Sequence, residues 1–460
     1  MQGTKIISFA PKGFTNYSIP SGVTEIGYCV FASCTSLANI TIPASVTSIE
    51  SRAFSGCVNL LQVIMEGETP ATVGTNIFNN CNSLAEILVP TEAAVAAYKA
   101  AAGWSAYKDK IFCNNIADLR FVPITEGGIT TTEGGSEHAA YMIGNGASGG
   151  GLKGVLSSYT SLYIPTYYNG KPVTVINKQA FAGCTNLTNI TFSNSSKLTN
   201  IGNYAFQNCT SLSRILIPSK VTTIGVNPFR GCTNLDGITV SGNTTFSTLD
   251  IGNLLMQGTK VISFAPKGLT SYTVPASVTE IGVNAFAASN LQSVYYASGS
   301  SLTTIGAAAF AGCTALTNTT IPASVTSIGA EAFRDCSALI QVIMEGATPA
   351  TAGTTMFFNC TSLAEILVPT EAAVTAYKAA TNWITYKDKI YFNNSSSLVF
   401  TATNNGAEYI VGDNTTTAGN GFKSGVSLTV VHIPAFYNGK PVTGIGQYAF
   451  SGTSIKAVSI

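Results

Sequence analysis

Charged side chains are scarce in this sequence. Asp, Glu, Lys and Arg together make up 10% of the chain, whereas an ordinary globular protein has about 25%. The formal net charge is +1, so the composition favours neither a nucleic acid nor an anionic membrane as a partner. Gly, Ser, Thr and Asn occupy many of the places that Lys and Glu would normally take.

Long apolar runs and catalytic residue sets are also missing. No run of 18 or more apolar residues is present, and a membrane-spanning helix needs about 20. The only two histidines, His138 and His432, are far apart in the sequence. The glycine-rich stretches lack the Gly-Lys-Ser/Thr ending of a phosphate loop, and no acid, base and nucleophile cluster together. We therefore expect no catalytic residue, no metal, no cofactor and no enzymatic activity.

A short repeated motif is what the sequence does contain. Residues 42–49 (IPASVTSI) precede Phe54 and Cys57, and the same pattern stands 23 residues earlier with Phe31 and Cys34. A period of 20–29 residues with Leu and Ile at fixed offsets is typical of a leucine-rich solenoid, in which each winding, or coil, packs on its neighbours. The Phe-marked coils are those of Phe31, Phe54, Phe78, Phe181, Phe206, Phe229, Phe286, Phe310, Phe333, Phe357 and Phe450.

Within one coil the apolar and polar residues alternate as in a β-strand. Leu37, Ile40 and Ile42 are predicted to point inward, and Asn39 and Thr41 outward. After the motif at residues 42–49, we expect Ala53 and Phe54 to begin a tight helical turn that places the Phe54 ring at the centre of the coil. The other coils should have the same turn at their Phe. The fold class predicted is a mainly β repeat solenoid with short helical or 3-10 turns.

Nine of the eleven cysteines follow a Phe by three residues and so form a ladder along the coils. A stack of disulfides is one interpretation. We favour buried free thiols, because one shared position per coil gives no partner at fixed disulfide geometry. A periodic single Cys is also unlike a Cys-x-x-Cys metal site. Cys29 and Cys113 lie off the ladder.

Two kinds of segment interrupt the coils. The Ala-rich stretch ending at Trp104 is predicted to be a capping helix, with Thr91 as N-cap and Gly103 as its stop. It recurs between Thr370 and Trp383. A connector rich in Gly, Ser and Thr follows each cap and leads to an Asn-Gly turn. We also expect β-hairpins within residues 1–18, around Pro11-Lys12-Gly13, and near 254–264.

These patterns divide the chain into solenoid blocks, caps and connectors. The predicted segments are 1–90 (coils), 91–111 (capping helix), 112–163 (β-rich connector), 164–240 (coils), 241–275 (β-hairpin insert), 276–369 (coils), 370–391 (capping helix), 392–433 (β-rich connector) and 434–460 (start of a further block). Residues 256–268 nearly copy residues 1–13, and Trp104 and Trp383 mark equivalent caps. The offsets are 255 and 279 residues, so the later block contains one extra coil. We expect the chain to be a piece of a longer array, with any signal peptide or anchor outside it.

The coil motif resembles a known family. Ile-Pro-x-x-Val-Thr-x-Ile-Gly-x-x-Ala-Phe-x-x-Cys-x-x-Leu, as found from Ile321 to Leu339, is similar to the BspA-type leucine-rich repeat. The motif covers about two thirds of the chain. The resemblance implies a right-handed solenoid on the surface of host-associated bacteria, among adhesins that bind host matrix or plasma proteins or other microbes. The ligand is not implied, because a shared fold does not fix function.

An outward row of strand residues is the candidate binding surface. It has more apolar residues than a solvated face needs, and polar residues flank it. The alternative is that Thr, Ile and Tyr stand there for their β-propensity alone. The candidate strip consists of Ile64, Leu88, Leu216, Tyr295, Ile343, Leu367, Gln62, Arg214 and Gln341.

The function predicted is a non-catalytic protein-binding or adhesion module at the cell surface or outside the cell. Its partner would be a host matrix or plasma protein, or a microbial surface protein, with no nucleic acid and no membrane span in this segment. A passive spacer that displays another domain is one alternative. A carbohydrate-binding module is another, which would need aromatic platforms.

Overall fold

The computed structural model describes residues 4–9, 13–125, 128–129, 139–144, 159–413, 419–424, 426, 428 and 430–460. These residues form two compact units, Met1–Gly252 (unit 1) and Asn253–Ile460 (unit 2). The predicted glycine-rich loop at 149–151 and His138 lie outside the described residues. The repeat-solenoid fold class is confirmed in both units.

Each coil contributes one longer strand and one short strand, which stack on the next coil as two parallel sheets. We call the sheet of longer strands the long sheet. In unit 1 the first block has long strands Asn16–Ser18, Asn39–Ile42, Gln62–Met65, Glu86–Val89 and Ile111–Cys113. Its short strands are Lys5–Ile6, Glu25–Ile26, Ser48–Ile49 and Thr72–Val73.

The second block of unit 1 repeats this arrangement after the connector. Its long strands are Ser161–Ile164, Asn189–Phe192, Arg214–Ile217 and Gly237–Val240. Its other sheet joins connector strands to short coil strands: Gly128–Ile129, Phe121–Thr125, Ala140–Ile143, Lys171–Ile176, Asn200–Ile201 and Thr223–Ile224, with Tyr167–Tyr168 paired to Lys171–Ile176. Strand Ser247–Leu249 follows.

Unit 2 is built in the same way. Its long strands are Ser271–Val274, Ser293–Tyr296, Asn318–Ile321, Gln341–Met344, Glu365–Val368 and Ile390–Phe392. Its other sheet contains Leu254–Gln257, Lys260–Phe264, Glu280–Ile281, Thr304–Ile305, Ser327–Ile328 and Thr351–Ala352. The remaining strands are Phe400–Thr403, Glu408–Val411, Val430–His432, Phe436–Tyr437, Lys440–Ile445 and Ala457–Ser459.

Two short α-helices cap the coils as predicted. They are Glu92–Ala100 and Glu371–Ala379. The hydroxyl of Thr91 accepts a hydrogen bond from Ala94 N, which is the N-cap contact expected from the sequence. In each cap, one Tyr of the helix and the Trp that follows the helix are buried. The indole of Trp104 donates a hydrogen bond to Ala71 O at 2.8 Å. Short 3-10 helices are Ser105–Lys110, Ile116–Asp118, Ile384–Lys389, Ser395–Ser397 and Asn404–Gly406.

Phenylalanine rings form the axis of each block, as the repeat predicts. Phe54 is fully buried, and its ring centroid lies 5.1 Å from that of Phe31 in a stacked arrangement. The pairs Phe206–Phe229 and Phe310–Phe333 stack in the same way at 5.6 and 5.2 Å. Leu37, Ile40 and Ile42 are buried as expected, while Asn39 and Thr41 on the outward side are partly exposed.

The turn that carries each Phe is not helical, contrary to the expectation for Ala53 and Phe54. Residues two before and two after every marker Phe have positive φ, as at Arg52 (58°) and Gly56 (78°) around Phe54. Left-handed residues end a right-handed helix. The turn instead bonds to the next coil, where Phe54 N donates to Ile77 O at 3.0 Å. Asn and Gly are frequent at these two positions because they tolerate positive φ.

The glycine of the Ile-Gly motif allows a close approach between coils. A Cβ on Gly329 would lie 2.3 Å from Ala307 N, and one on Gly202 would lie 2.4 Å from Lys178 N. Because real Cβ atoms do not come this close to backbone, a side chain at either position would require the neighbouring coil to shift. Glu50 and Asn177 stand at the equivalent place in two other coils, so glycine is not needed in every coil.

One predicted hairpin is confirmed and one is wrong. Leu254–Gln257 and Lys260–Phe264 pair in antiparallel fashion. In residues 1–18, however, Lys5–Ile6 pairs with Glu25–Ile26 and Asn16–Ser18 pairs with Asn39–Ile42, both parallel. The two runs lie in different sheets of one coil, and Pro11 and Lys12 are outside the described residues. Both Asn-Gly sites form the tight hairpins expected, with positive φ at Asn169, Gly170, Asn438 and Gly439.

The ladder cysteines are free thiols, as favoured from the sequence. Most of them are buried, and their Sγ atoms donate to the carbonyl of the Phe one coil earlier. Cys57 Sγ lies 3.0 Å from Phe31 O, and Cys336 Sγ lies 3.2 Å from Phe310 O. The thiols thus act as small core groups that also satisfy a backbone carbonyl.

Candidate protein-binding surface

Strand register places the candidate strip on the outer face of the long sheets. Thr41 pairs with Ile64 and Ile64 with Leu88 in the first block. Thr320 pairs with Ile343 and Ile343 with Leu367 in unit 2. Since parallel register sets equivalent residues side by side, the strip forms continuous rows across successive coils.

Five strip residues are accessible to solvent. Tyr295 is 52% exposed, and the side chain of Arg214 is 77% exposed. Ile64, Leu216 and Ile343 are partly exposed. These residues remain a predicted binding surface.

The expectation of exposure is wrong for the other four strip residues. Leu88, Leu367, Gln62 and Gln341 are all buried. The reason is that the chain folds back over the last coils of each block after the cap and connector. Segment 161–168 covers the sheet in unit 1, and segment 430–437 covers it in unit 2.

A buried glutamate holds segment 161–168 in place. Glu86, at 0% exposure, accepts hydrogen bonds from Thr166 N at 2.9 Å and Tyr167 N at 3.2 Å. The hydroxyl of Tyr163 also donates to this carboxylate, and Gln62 Nε2 donates to it at 2.8 Å. We call this cluster the Glu86 site. It explains why Gln62 is not available for a partner.

Unit 2 contains the same arrangement with one substitution. Glu365 accepts from Ala435 N at 3.0 Å and from Gln341 Nε2 at 2.7 Å. His432 takes the place of Tyr163, and its Nε2 lies 2.7 Å from Glu365 Oε2. We call this cluster the Glu365 site. His432 therefore packs in a buried contact with its own chain.

Stacked aromatic rings secure both covering segments. Tyr163 stacks on Phe112 at 4.2 Å between ring centroids, and His432 stacks on Tyr391 at 4.1 Å. The tyrosine of each Asn-Gly hairpin stacks on a connector Phe, as in Tyr168 on Phe121 at 4.0 Å. The cover is thus held by polar and aromatic contacts together.

Sequence reasoning missed the two glutamate sites. Glu86 and Glu365 stood in the outward polar row, where they looked like surface residues. The available signal was the shared pattern Tyr163-Ile164-Pro165 and His432-Ile433-Pro434, each followed by an Asn-Gly turn. A buried partner 77 residues away along the chain, as for Glu86 and Tyr163, leaves no local periodicity.

Burial sets the proton affinity of the Glu86 site. Desolvation raises the pKa of Glu86 above its usual 4.5, although the hydrogen bonds it accepts from Thr166, Tyr163, Gln62 and Tyr167 act in the opposite direction. Burial and the neighbouring Glu86 charge also raise the pKa of Tyr163 well above 10. Tyr163 therefore keeps its proton, and its hydroxyl donates a hydrogen bond to the carboxylate of Glu86.

The described part of the chain holds no group of three or more His, Cys, Asp or Glu side chains that could bind a metal ion. Within the same residues, no helix has the length and apolar character needed to cross a bilayer.

Comparison with known proteins identifies the repeat. The family model for the BspA type leucine rich repeat region matches six copies, over residues 6–120, 157–265 and 258–383. The chain belongs to the BspA-type leucine-rich repeat family. No curated protein matches it.

Solved structures of bacterial leucine-rich repeat proteins are similar to this BspA-type chain at low sequence identity. A leucine rich cell surface protein from Faecalibacterium prausnitzii is 22% identical, with 79% of this chain and 90% of that one covered and a TM-score of 0.35. The pneumococcal vaccine antigen PcpA is 18% identical, with 85% and 91% covered and a TM-score of 0.37. A leucine-rich repeat protein from Bacteroides ovatus is 21% identical, with 83% and 82% covered and a TM-score of 0.32.

Proposed function

We propose that the chain is a non-catalytic protein-binding module at the cell surface. Its ligand is a host matrix or plasma protein, or a surface protein of another microbe. The uncovered part of the candidate strip makes the contact: Ile64, Leu216, Tyr295, Ile343 and Arg214. Membership of the BspA-type family supports this role, because the resemblance implies surface adhesins.

The observation that carries the proposal is the exposure of apolar side chains on a rigid sheet. Leu216 and Ile343 stand partly exposed in the middle of paired strands. Both neighbouring strands fix their positions, so little conformational entropy is lost when a partner packs on them. Apolar groups presented in rows on a solenoid face are typical of protein-docking surfaces.

The covered coils limit where a partner can bind. Gln62 and Gln341 donate hydrogen bonds to Tyr167 O and Phe436 O of the segments that fold back, and Leu88 and Leu367 are buried. Binding therefore involves the strip positions that stay partly exposed, which are Ile64 and Ile343 before the covered positions and Leu216 after the connector. A passive spacer would have no role for the uncovered rows, so the two functions predict different effects of substitutions there.

The test is binding of the full chain to immobilised collagen, laminin, fibronectin and fibrinogen, measured by biolayer interferometry. We expect saturable binding to at least one of them. Leu216→Asp or Ile343→Asp should weaken it by about tenfold or more, since a charge at a docking position costs more than 1.4 kcal/mol. Thr223→Asp, on an exposed position of the other sheet, is the matched control and should bind like the wild type. Binding that neither strip variant alters would refute the proposal, and binding to none of the proteins would favour the spacer.

A further inference from the structure

A groove opens on the long sheet of unit 2, with a cavity volume of about 420 Å³. Its walls include Tyr295, Tyr296, Ser298, Ser300, Ser324 and Glu345. This size lies within the range of small-molecule binding sites, about 300–1,000 Å³. The groove is distinct from the two glutamate sites.

A turn two residues longer than that of the following coil forms one wall of the groove. Tyr296 ends the strand Ser293–Tyr296, and the next buried residue of that coil is Leu302, six positions later. In the following coil, Ile321 and Val325 are only four positions apart. The two additional residues fall in the turn that contains Ser298 and Ser300.

The groove presents an aromatic face beside serine hydroxyl groups. Tyr295 is 52% exposed and stands on the outer face of the strand. Ser298 and Ser300 line the same groove and are exposed or partly exposed. A hydroxyl group both donates and accepts hydrogen bonds, so this wall suits a ligand that does the same.

The charge of the groove excludes anionic ligands. Among its lining residues, all of which are described, Glu345 is the only charged one. A phosphate, sulfate or sialic acid would meet this carboxylate without any cation to offset it. A carboxylate and several hydroxyls can instead accept and donate hydrogen bonds to the hydroxyls of a neutral ligand.

The sheet also leaves no edge for an extended peptide. Ser293–Tyr296 pairs with Ser271–Val274 on one side and with Asn318–Ile321 on the other. Its backbone groups are therefore occupied, and a peptide cannot add to it as a further strand. Recognition must come from side chains, which suits a ligand rich in hydroxyl groups.

We infer that this groove binds a neutral sugar residue of a glycan. The apolar face of the sugar ring stacks on Tyr295, and its hydroxyls bond to Glu345, Ser298 and Ser300. The groove shares Tyr295 with the proposed protein-binding surface. Leu216 and Ile343, whose substitution tests the protein-binding function, do not line the groove, so the two tests can fail separately.

The experiment titrates the full chain with the methyl glycosides of glucose, galactose, mannose and N-acetylglucosamine, followed by saturation-transfer NMR. We expect saturable binding of at least one glycoside. Tyr295→Ala should weaken it by about tenfold, the loss expected when a stacking ring is removed. Glu345→Gln should weaken it by about fivefold, because a charge-assisted hydrogen bond becomes a neutral one. Tyr295→Phe should keep the stacking contact and most of the affinity.

Tyr448→Ala is the matched control, because Tyr448 is 51% exposed and lies outside the groove. It should bind the glycoside with unchanged affinity. The inference is overturned if none of the four glycosides binds saturably, or if Tyr295→Ala binds as well as the wild type. It is also overturned if N-acetyl-lysine amide binds through Tyr295 and Glu345 while the glycosides do not, since that would indicate a site for a basic side chain.

Discussion

His432 and Glu365 form a buried pair, with Nε2 and Oε2 2.7 Å apart and side chains 4% and 3% exposed. The two residues come from different parts of the module: a long strand of the solenoid and the segment that folds back over it. In unit 1 the same contact joins Tyr163 and Glu86. In each unit, a buried glutamate of the leucine-rich block thus binds the segment that follows the connector. This contact leaves only some coils of the block uncovered.

Loss of the Glu86 carboxylate should destabilise unit 1. Glu86→Ala leaves Thr166 N, Tyr167 N and the Tyr163 hydroxyl without their acceptor. We expect a loss of about 3 kcal/mol in the free energy of unfolding, because buried donors then lack partners. The measurement is urea denaturation followed by circular dichroism. Glu66→Ala, at an exposed glutamate of the same block, should change stability by less than about 0.5 kcal/mol. Equal stability of the two variants would refute the role of the Glu86 site.

Comparison of the Glu86 site with the Glu365 site predicts which residues can replace His432. Tyr163 makes the equivalent contact in unit 1, so His432→Tyr should keep a donor to Glu365 and change stability by less than about 1 kcal/mol. His432→Phe keeps the ring that stacks on Tyr391 but loses the hydrogen bonds to Glu365 and Ser459. It should cost about 1–3 kcal/mol, since the buried carboxylate loses one donor. Thermal unfolding of both variants tests this, and a Phe variant as stable as the wild type would contradict it.

The raised pKa of Glu86 predicts the direction of a pH dependence. A carboxyl whose pKa is higher in the folded state binds its proton more tightly there than in the unfolded chain. Its contribution to stability is fully present below the usual value of 4.5. It is lost as the pH rises through the raised value of the folded state.

Denaturation at a series of pH values, compared with Glu86→Gln, isolates this effect. The stability of the wild type relative to the Gln variant should fall with increasing pH across that window. Glu86→Gln lacks the titrating group, so other carboxyls cancel in the difference. A relative stability that instead rises with pH would show that the carboxylate form is the one favoured by folding.

Thiol accessibility tests the arrangement of the cysteine ladder. Cys29 and Cys360 are partly exposed, and the other nine cysteines are buried. Burial raises the pKa of Cys34 to about 11, which further slows its reaction. Ellman's reagent at pH 8 should therefore modify at most two thiols in the native chain and all eleven in urea. Fewer than eleven thiols in urea would reveal disulfides, and rapid modification of more than two would contradict the buried ladder.

The coil could be predicted from sequence because its determinants are local. Leu37, Ile40 and Ile42 alternate with outward residues over a few positions, and Phe54 recurs with a fixed period. The non-helical turn was missed because positive φ at Arg52 or Glu331 is imposed by hydrogen bonds to the next coil. Asn and Gly at those positions in other coils were the overlooked signal.

The candidate surface could be predicted only in part. Strand alternation correctly placed Ile64, Leu216 and Ile343 on the outward face. It could not show that Leu88 and Leu367 are buried. The segments that fold back on these coils come from far along the chain, as with Tyr163, which lies 77 residues from its partner Glu86. The groove at Tyr295 likewise depends on a turn two residues longer than the one in the next coil.

Side-chain footprinting of the chain bound to its protein partner is the most direct test of the central claim. Hydroxyl-radical labelling would be compared with and without the partner found in the binding panel. The account predicts protection of the uncovered strip residues Leu216, Tyr295 and Ile343, with no change at Thr223 and Thr351 on the other sheet. Protection confined to the other sheet or to the Phe-bearing turns would contradict it.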